Sequence, residues 1–218
     1  AKIDYVTIEL KEVYRQQDES FIRILNDVRK GFPSMETINT LNSRYIPDFQ
    51  PDQDEGYIRL VTHNNMANTY NEQQLEQIDE PLHCFDAQIS GTFPEYSYPT
   101  EVRLELKTGA QVMFVKNDPS AEKRYYNGKI GHVVEILDDV ILVQCPGDEE
   151  AVAVEQLEWE NSRYIINEHT QEMETEVQGV FRQYPLRLAW AITIHKSQGL
   201  TFDKAVIDAA SSFASGQV

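Results

Sequence analysis

The hydrophobic positions near the start of the chain follow two different periods. Ile3 to Leu10 alternate apolar and polar side chains, which is typical of a half-buried strand. Beyond Asp18 the apolar side chains instead recur every three or four positions. This pattern predicts a helix to about Lys30, with Asp18 as its N-cap and Gly31 as its end, and a second, shorter helix after Pro33-Ser34.

A strand and a helix are predicted again after an acidic loop. Tyr57 to Val61 has the composition of a strand, and it is followed by the polar triplet Thr62-His63-Asn64. Asn64 is predicted to cap a helix that carries Ala67 and Leu75 on its apolar face. The order strand, helix, strand, helix favours an α/β layer with parallel strands.

The middle of the chain changes to short β-type runs separated by turn pairs such as Asn127-Gly128 and Pro146-Gly147. Such spacing predicts a small antiparallel barrel. Its predicted strands are Val112–Val115, Ile130–Ile136, Val140–Gln144 and Ala151–Val154.

The α/β character returns after Gly179. Leu186 to Ile194 is predicted to be helical, and Lys204 to Asp208 is predicted to be a buried strand. The simplest organisation is an α/β domain in two parts, residues 1–101 and 179–218, with the barrel inserted as residues 102–178.

The charge of the chain is unfavourable for binding nucleic acid. The formal net charge is −17, whereas proteins that bind phosphates usually have a basic surface. From residue 181 onward, however, bases outnumber acids: the bases are Arg182, Arg187, Lys196 and Lys204, and the acids are Asp203 and Asp208. Any contact with nucleic acid must therefore be a local patch, and composition alone favours a globular protein that does not bind it.

Neither membrane insertion nor secretion is indicated. No apolar run approaches the roughly 20 residues that span a bilayer, and the N-terminal residues lack the pattern of a signal peptide. Cys84 and Cys145 lie far apart without metal-ligand spacing, which favours buried thiols in a reducing compartment over a disulfide.

The sequence lacks the usual nucleotide-binding loop. No G-x-x-x-x-G-K-[ST] run occurs, and the one Gly-Lys pair, Gly128-Lys129, is followed by Ile130 in a predicted hairpin turn. This chain alone is therefore not expected to bind a nucleoside triphosphate in the usual way.

The densest group of polar side chains lies between two apolar runs near the end of the chain. Its members are Thr193, His195, Lys196, Ser197, Gln198 and Gly199. Hydroxyl, imidazole and ammonium donors at this spacing suit phosphate oxygens, and a glycine allows close approach of the backbone. The simpler alternative is a well-capped connection between two elements.

Several stretches, in the right order, resemble the PIF/RecD-like superfamily 1B DNA helicases. Thr193–Phe202 resembles motif V, Val13–Gln16 motif IV and Arg59–Asn64 motif IVa. Gly109–Phe114 and Tyr126–Gly131 resemble the SH3-like insertion of these enzymes. The resemblance implies the C-terminal, RecA-like (P-loop-NTPase-type) second motor lobe, interrupted by a small SH3-like β-barrel. It implies a fragment, because the first lobe and motif VI are missing.

The resemblance also implies roles at a nucleotide cleft. Arg15 would be the arginine finger that stabilises charge on the γ-phosphate, with Gln16 supporting the turn, and Gln198 and Gly199 would face ATP. ATP and Mg²⁺ would be bound mainly by the first RecA-like lobe of the same polypeptide, so this chain alone should have no cofactor and no ATPase activity. The alternatives are a surface arginine paired with an acid at Arg15 and simple turn geometry at Gln198 and Gly199.

A second set of residues would bind single-stranded DNA through its phosphates, without reading sequence. The resemblance assigns Thr62, His63, Asn64, Thr193, His195, Lys196 and Ser197 to this set. For His63 and His195 the alternative is an ordinary capping or core histidine. The Lys123-Arg124-Tyr125-Tyr126 turn of the insertion is a further candidate contact or simply an exposed loop.

The implied function is that of an ATP-dependent 5′–3′ DNA helicase, cytoplasmic in a bacterial cytosol or nucleoid and without a membrane partner. The alternative is a binding or scaffold module that shares the helicase fold but has no motor activity, which the acidity of the chain favours.

Overall fold

The computed structural model describes residues 16–51, 55–166 and 172–208. The chain divides into two compact units, residues 1–50 and 51–218. The strand predicted from Ile3 to Leu10 and the predicted arginine finger, Arg15, lie outside the described residues. Among the described helices, none has both the length and the apolar character needed to cross a membrane.

The first unit contains two capped helices, α1 (Glu19–Lys30) and α2 (Met35–Asn42). The Asp18 carboxylate accepts a hydrogen bond from the first turn of α1, and Gly31 ends α1 in the left-handed conformation at φ 75°. The Ser34 hydroxyl caps α2 in the same manner. Both predicted helices, with the predicted cap and end of α1, are confirmed.

The second unit is mainly β-structure. In chain order its elements are β1 (Ile58–Val61), α3 (Asn64–Gln77), β2 (His83–Asp86), β3 (Gln88–Gly91), β4 (Arg103–Leu106), β5 (Gln111–Phe114), β6 (Ile130–Ile136), β7 (Ile141–Gln144), β8 (Val152–Val154), β9 (Leu157–Ile166), β10 (Met173–Gln183), β11 (Leu186–Leu188), β12 (Ala191–Thr193), α4 (Ile194–Ser197) and β13 (Ala205–Ile207).

A parallel sheet in the order β12-β1-β13 forms the α/β layer. Helix α3 packs on this sheet, where Val61, Ala67 and Ala191 are buried together. An α/β layer with parallel strands is therefore present, whereas the part predicted for the strand from Ile3 to Leu10 lies outside the described residues. The strand predicted at Lys204 to Asp208 exists as β13, but the prediction that it is buried is wrong, because it is an edge strand with Ile207 57% exposed.

The helix predicted from Leu186 to Ile194 is wrong, because that stretch forms two short strands. β11 pairs antiparallel with β5, and β12 pairs parallel with β1. A short apolar run does not distinguish a buried strand from a buried helix by its periodicity, and here pairing on the two sheets decides the structure. The helix begins only at Ile194, with Thr193 as its N-cap.

The predicted middle strands form an antiparallel sheet in the order β11-β5-β6-β7-β8. Strands β5 to β8 confirm the four predicted strands, and Val112, Phe114, Val143 and Leu186 form part of the core between them. Within the described residues the end strands β11 and β8 do not pair with each other, so the sheet is open and no closed barrel is seen. Likeness to an SH3 barrel stays a prediction.

Two further groups of strands surround this sheet without having been predicted. β9 and β10 form a long hairpin, and β3 adds to its edge where Gly91 lies opposite Gly179. β2 pairs with β4, so strand pairing crosses the predicted boundary at residues 101 and 102. The division into residues 1–101, 102–178 and 179–218 stays a prediction.

The two cysteines differ in environment, and this difference predicts their reactivity. Both are free thiols; Cys84 is exposed on β2, whereas Cys145 is 1% exposed. Burial raises the pKa of Cys145 to about 11, which disfavours its reactive thiolate at neutral pH. We expect one fast-reacting thiol with Ellman's reagent in the native protein and two after denaturation. Cys84→Ser should remove the fast phase, and a fast phase that persists in this variant would contradict the assignment.

Candidate functional site

The two polar loops that the sequence places far apart meet at one edge of the parallel sheet. Val61 of β1 is in register with Thr193 of β12, so the residues that follow these strands emerge side by side. They line an open pocket of about 440 Å³, here called the strand-end pocket. Its lining residues are Thr62, His63, Asn64, Thr193, His195 and Lys196.

The first loop presents an imidazole and an amide to solvent. Thr62 is 3% exposed, and its Oγ1 lies 2.8 Å from Nδ1 of His63, which orients the ring. His63 is the N-cap of α3, one residue earlier than the predicted cap, and its side chain makes no capping hydrogen bond. The side chains of His63 and Asn64 are exposed and therefore accessible to a ligand.

The second loop begins with a buried hydroxyl and continues into exposed charge. Thr193 is 4% exposed, and its Oγ1 accepts a hydrogen bond of 3.3 Å from the backbone N–H of Lys196. His195 and Lys196 follow on the first turn of α4 and are exposed. The Ser197 hydroxyl donates to the carbonyl of Ile194 at 2.7 Å, and Ser197 does not line the strand-end pocket. Six of the seven predicted DNA-binding residues are therefore brought together.

The surroundings of the strand-end pocket shift the pKa of its lysine, Lys196. The pKa of Lys196 lies below its ordinary value, first because partial burial disfavours the ammonium and second because the Arg187 guanidinium is near. Glu101 acts in the opposite direction. Two cations held close together favour an anionic ligand, which would relieve their repulsion.

Gln198 and Gly199, which are predicted to face ATP, do not line the strand-end pocket. Gln198 and Gly199 follow α4, both are exposed, and Gly199 has a φ of 83°. Nothing lies within 4 Å of a Cβ placed on Gly199. Gln16 belongs to the first unit, where its Oε1 accepts hydrogen bonds from the backbone N–H groups of Gln17 and Asp18 at 2.9 and 3.0 Å.

Two buried amides, whose roles the sequence did not reveal, bind backbone groups where β1 and β12 begin. Asn71 of α3 is 9% exposed; its Nδ2 donates to the carbonyl of Ala191 at 2.9 Å, and its Oδ1 accepts from the N–H of Ala191 at 2.8 Å. Gln111 is 1% exposed, and its Nε2 donates to the carbonyls of Tyr57 and Ala189 at 2.9 and 2.8 Å. For Gln111 the available signal was an amide inside an apolar stretch, whereas Asn71 stands among polar residues and gave no such signal.

In the Lys123-Arg124-Tyr125-Tyr126 turn, the side chains of Arg124 and Tyr125 contact other parts of the protein. Tyr125 is 7% exposed and its ring stacks on Phe114 at 4.2 Å between centroids. Arg124 donates from Nη2 to the carbonyl of Ala151 at 2.9 Å. Lys123 and Tyr126 remain exposed. In the described ranges, no group of three or more histidine, cysteine or acidic side chains is arranged to hold a metal ion.

No family model matches the sequence. The ATP-dependent DNA helicase Pif1 of Bdellovibrio bacteriovorus is 33% identical over 219 residues, which cover 98% of this chain and 46% of the relative. Unliganded Pif1 from Bacteroides sp. superposes with a TM-score of 0.85 at 35% identity, over 94% of this chain and 47% of that protein. Bacteroides Pif1 bound to ssDNA gives a TM-score of 0.65 over 96% of this chain.

The chain is similar to the Pif1 DNA helicases, because both its sequence and its mixed α/β fold match these proteins over almost its entire length. It spans about half the length of the Bdellovibrio relative.

Proposed function

We propose that this chain is the second motor lobe of an ATP-dependent 5′–3′ DNA helicase, and that the strand-end pocket binds the backbone of single-stranded DNA. The observation that carries the proposal is the convergence of six polar residues from two distant parts of the sequence on one pocket. The first RecA-like lobe of the same polypeptide would bind ATP and Mg²⁺ and would complete the motor.

The chemistry of the pocket supports a phosphate ligand. Lys196 supplies a positive charge, and His63, His195 and Asn64 supply exposed donors around it. Such donors bind phosphodiester oxygens and do not distinguish bases, as translocation along any sequence requires. Thr62 and Thr193, which are buried, would brace the loops. The ssDNA-bound Bacteroides Pif1 structure, which resembles this chain, supports the same ligand.

The nucleotide side of the proposal rests on the motif IV and motif V resemblances. Arg15 would deliver the arginine finger to the γ-phosphate, and Gln16 would support its turn. Gln198 and Gly199, exposed beyond α4, would contact the nucleotide when the two lobes close. Because α4 spans only Ile194–Ser197, one short segment would join the DNA contacts to the ATP contacts. Strands β5–β8, as part of an SH3-like insertion, would help guide the DNA strands.

Lys196 provides the direct test of DNA binding. Lys196→Ala should weaken the binding of this chain to oligo(dT) about tenfold, because a charge-assisted contact to a phosphate is lost. The slope of log K against log salt should flatten by about 0.7, the value for one phosphate contact to a single strand. Fluorescence anisotropy at several salt concentrations measures both quantities.

A matched control removes an exposed lysine elsewhere. Lys30→Ala, on the last turn of α1, makes the same change of charge outside the strand-end pocket and should leave affinity and slope unchanged. Equal effects of the two substitutions would mean that net charge alone governs binding and that the pocket is not the site.

A non-motor binding or scaffold module is the second candidate, and the formal net charge of −17 is the observation that favours it. Joining the chain to a P-loop lobe of the family separates the two candidates. Single-stranded DNA should stimulate ATP hydrolysis by the joined protein if the chain is a motor lobe and should not do so if it is a scaffold.

A further inference from the structure

A second cleft continues from the strand-end pocket toward the antiparallel strands. It has a volume of about 210 Å³ and shares Asn64, Thr193 and Lys196 with the strand-end pocket. Its far wall includes Arg187 of β11 and Glu101. The two cavities therefore form one groove that passes through Lys196.

Arg187 in this cleft is poorly satisfied by the protein. Its Nε is buried and has no hydrogen-bond partner, and its Nη2 donates one long bond of 3.3 Å to the carbonyl of Pro99. Among the described residues, no carboxylate lies within 4 Å of the cationic groups of Arg187 or Lys196. A buried guanidinium donor without an acceptor costs free energy, and an oxyanion in the cleft would remove that cost.

Three cations and three acids line the cleft. Arg103 is already paired with Glu105, whose carboxylate lies 3.1 Å from its Nε. Glu72 and Glu101, the other two acids of the lining, are exposed, and neither forms an ion pair with Arg187 or Lys196. Burial lowers the pKa of Arg187, and the field of Glu101 opposes this shift. The case for a phosphate therefore rests on the unpartnered Nε of Arg187 beside Lys196 and not on an excess of positive charge.

We infer that Arg187 and Lys196 form a second phosphate-binding position, so that single-stranded DNA runs from the strand-end pocket into the cleft between α3 and β11. The inference rests on the proposed function and extends its DNA path by one named contact. The guanidinium offers donors in a fixed planar arrangement that suits phosphate oxygens, and Glu101 limits the affinity of the position.

Two charge substitutions in this chain, each with a matched control, test the inference by oligo(dT) anisotropy. Arg187→Gln should weaken binding about tenfold and flatten the salt slope by about 0.7, whereas Arg182→Gln, on the exposed face of β10, should change neither. Glu101→Gln should tighten binding about threefold, because it removes the acid that opposes the phosphate; Glu95→Gln, exposed outside the cleft, should not.

Glu101→Gln keeps the test decisive if Arg187→Gln fails to fold, because Glu101 is exposed and forms no ion pair with another residue that the structure describes. Binding by Glu101→Gln that equals that of Glu95→Gln would overturn the inference, as would a folded Arg187→Gln that binds like Arg182→Gln. If the inference is overturned in this way but Lys196→Ala still binds oligo(dT) more weakly, the proposed function remains supported. Normal binding by Lys196→Ala as well would remove both.

Discussion

Arg15→Ala, in a protein that joins this chain to a P-loop lobe of the family, is expected to lower ATP turnover about 10³–10⁵-fold and to leave ATP affinity close to wild type. In the proposed motor the guanidinium stabilises charge that develops on the transferring γ-phosphate, whereas the P-loop lobe supplies most of the ground-state binding. Steady-state phosphate release at saturating oligo(dT) measures turnover, and a fluorescent ATP analogue measures affinity.

The control for this experiment is Arg29→Ala on the last turn of α1, which removes an exposed arginine from the same unit and should leave turnover unchanged. Arg15→Lys should retain only part of the activity, because lysine keeps the charge but loses the planar donors. Turnover by Arg15→Ala within a few fold of wild type would remove Arg15 from the proposed role. A parallel loss of ATP affinity would instead assign Arg15 to ground-state binding.

The elements predicted best are those whose ends are set by capping or turn residues close by in the sequence. Asp18 caps the start of α1 and Gly31 ends it. Both interact only with residues a few positions away in the chain, so their positions determine the ends of the helix. The turn pairs around β6, β7 and β8 act in the same local way. Leu186 to Ile194 was mispredicted because its strands are specified by distant partners, β5 and β1.

The same distinction explains the candidate site. The polar residues after β1 and β12 could be found in sequence because each loop is dense in donors, and the parallel pairing of the two strands brings the loops together. Arg187 could not be identified as a candidate binding residue from the sequence. Its segment was predicted to be a helix, whereas it is a strand on which Leu186, Arg187 and Leu188 alternate. The orphaned Nε is a property of packing that no local pattern encodes.

Asn71→Ala is expected to lower the free energy of unfolding by about 3 kcal/mol, because it leaves the N–H and carbonyl of Ala191 without their side-chain partner. Ala191 is 1% exposed, so neither group gains water easily. Since Thr193 lies two residues further along β12, the substitution should also loosen the strand-end pocket and weaken oligo(dT) binding. Urea unfolding followed by tryptophan fluorescence should show a midpoint lower by roughly 1–2 M.

The tryptophan fluorescence reports on the second unit, which contains Asn71, because the two tryptophans of the chain, Trp159 and Trp190, lie within residues 51–218. Asn68→Ala is the matched control: it makes the same replacement on the same helix at an exposed position and should change the midpoint little. Equal midpoints for Asn71→Ala and Asn68→Ala would show that the amide does not hold β12 against α3. A lower midpoint with unchanged oligo(dT) affinity at native conditions would separate the two roles and confine Asn71 to stability.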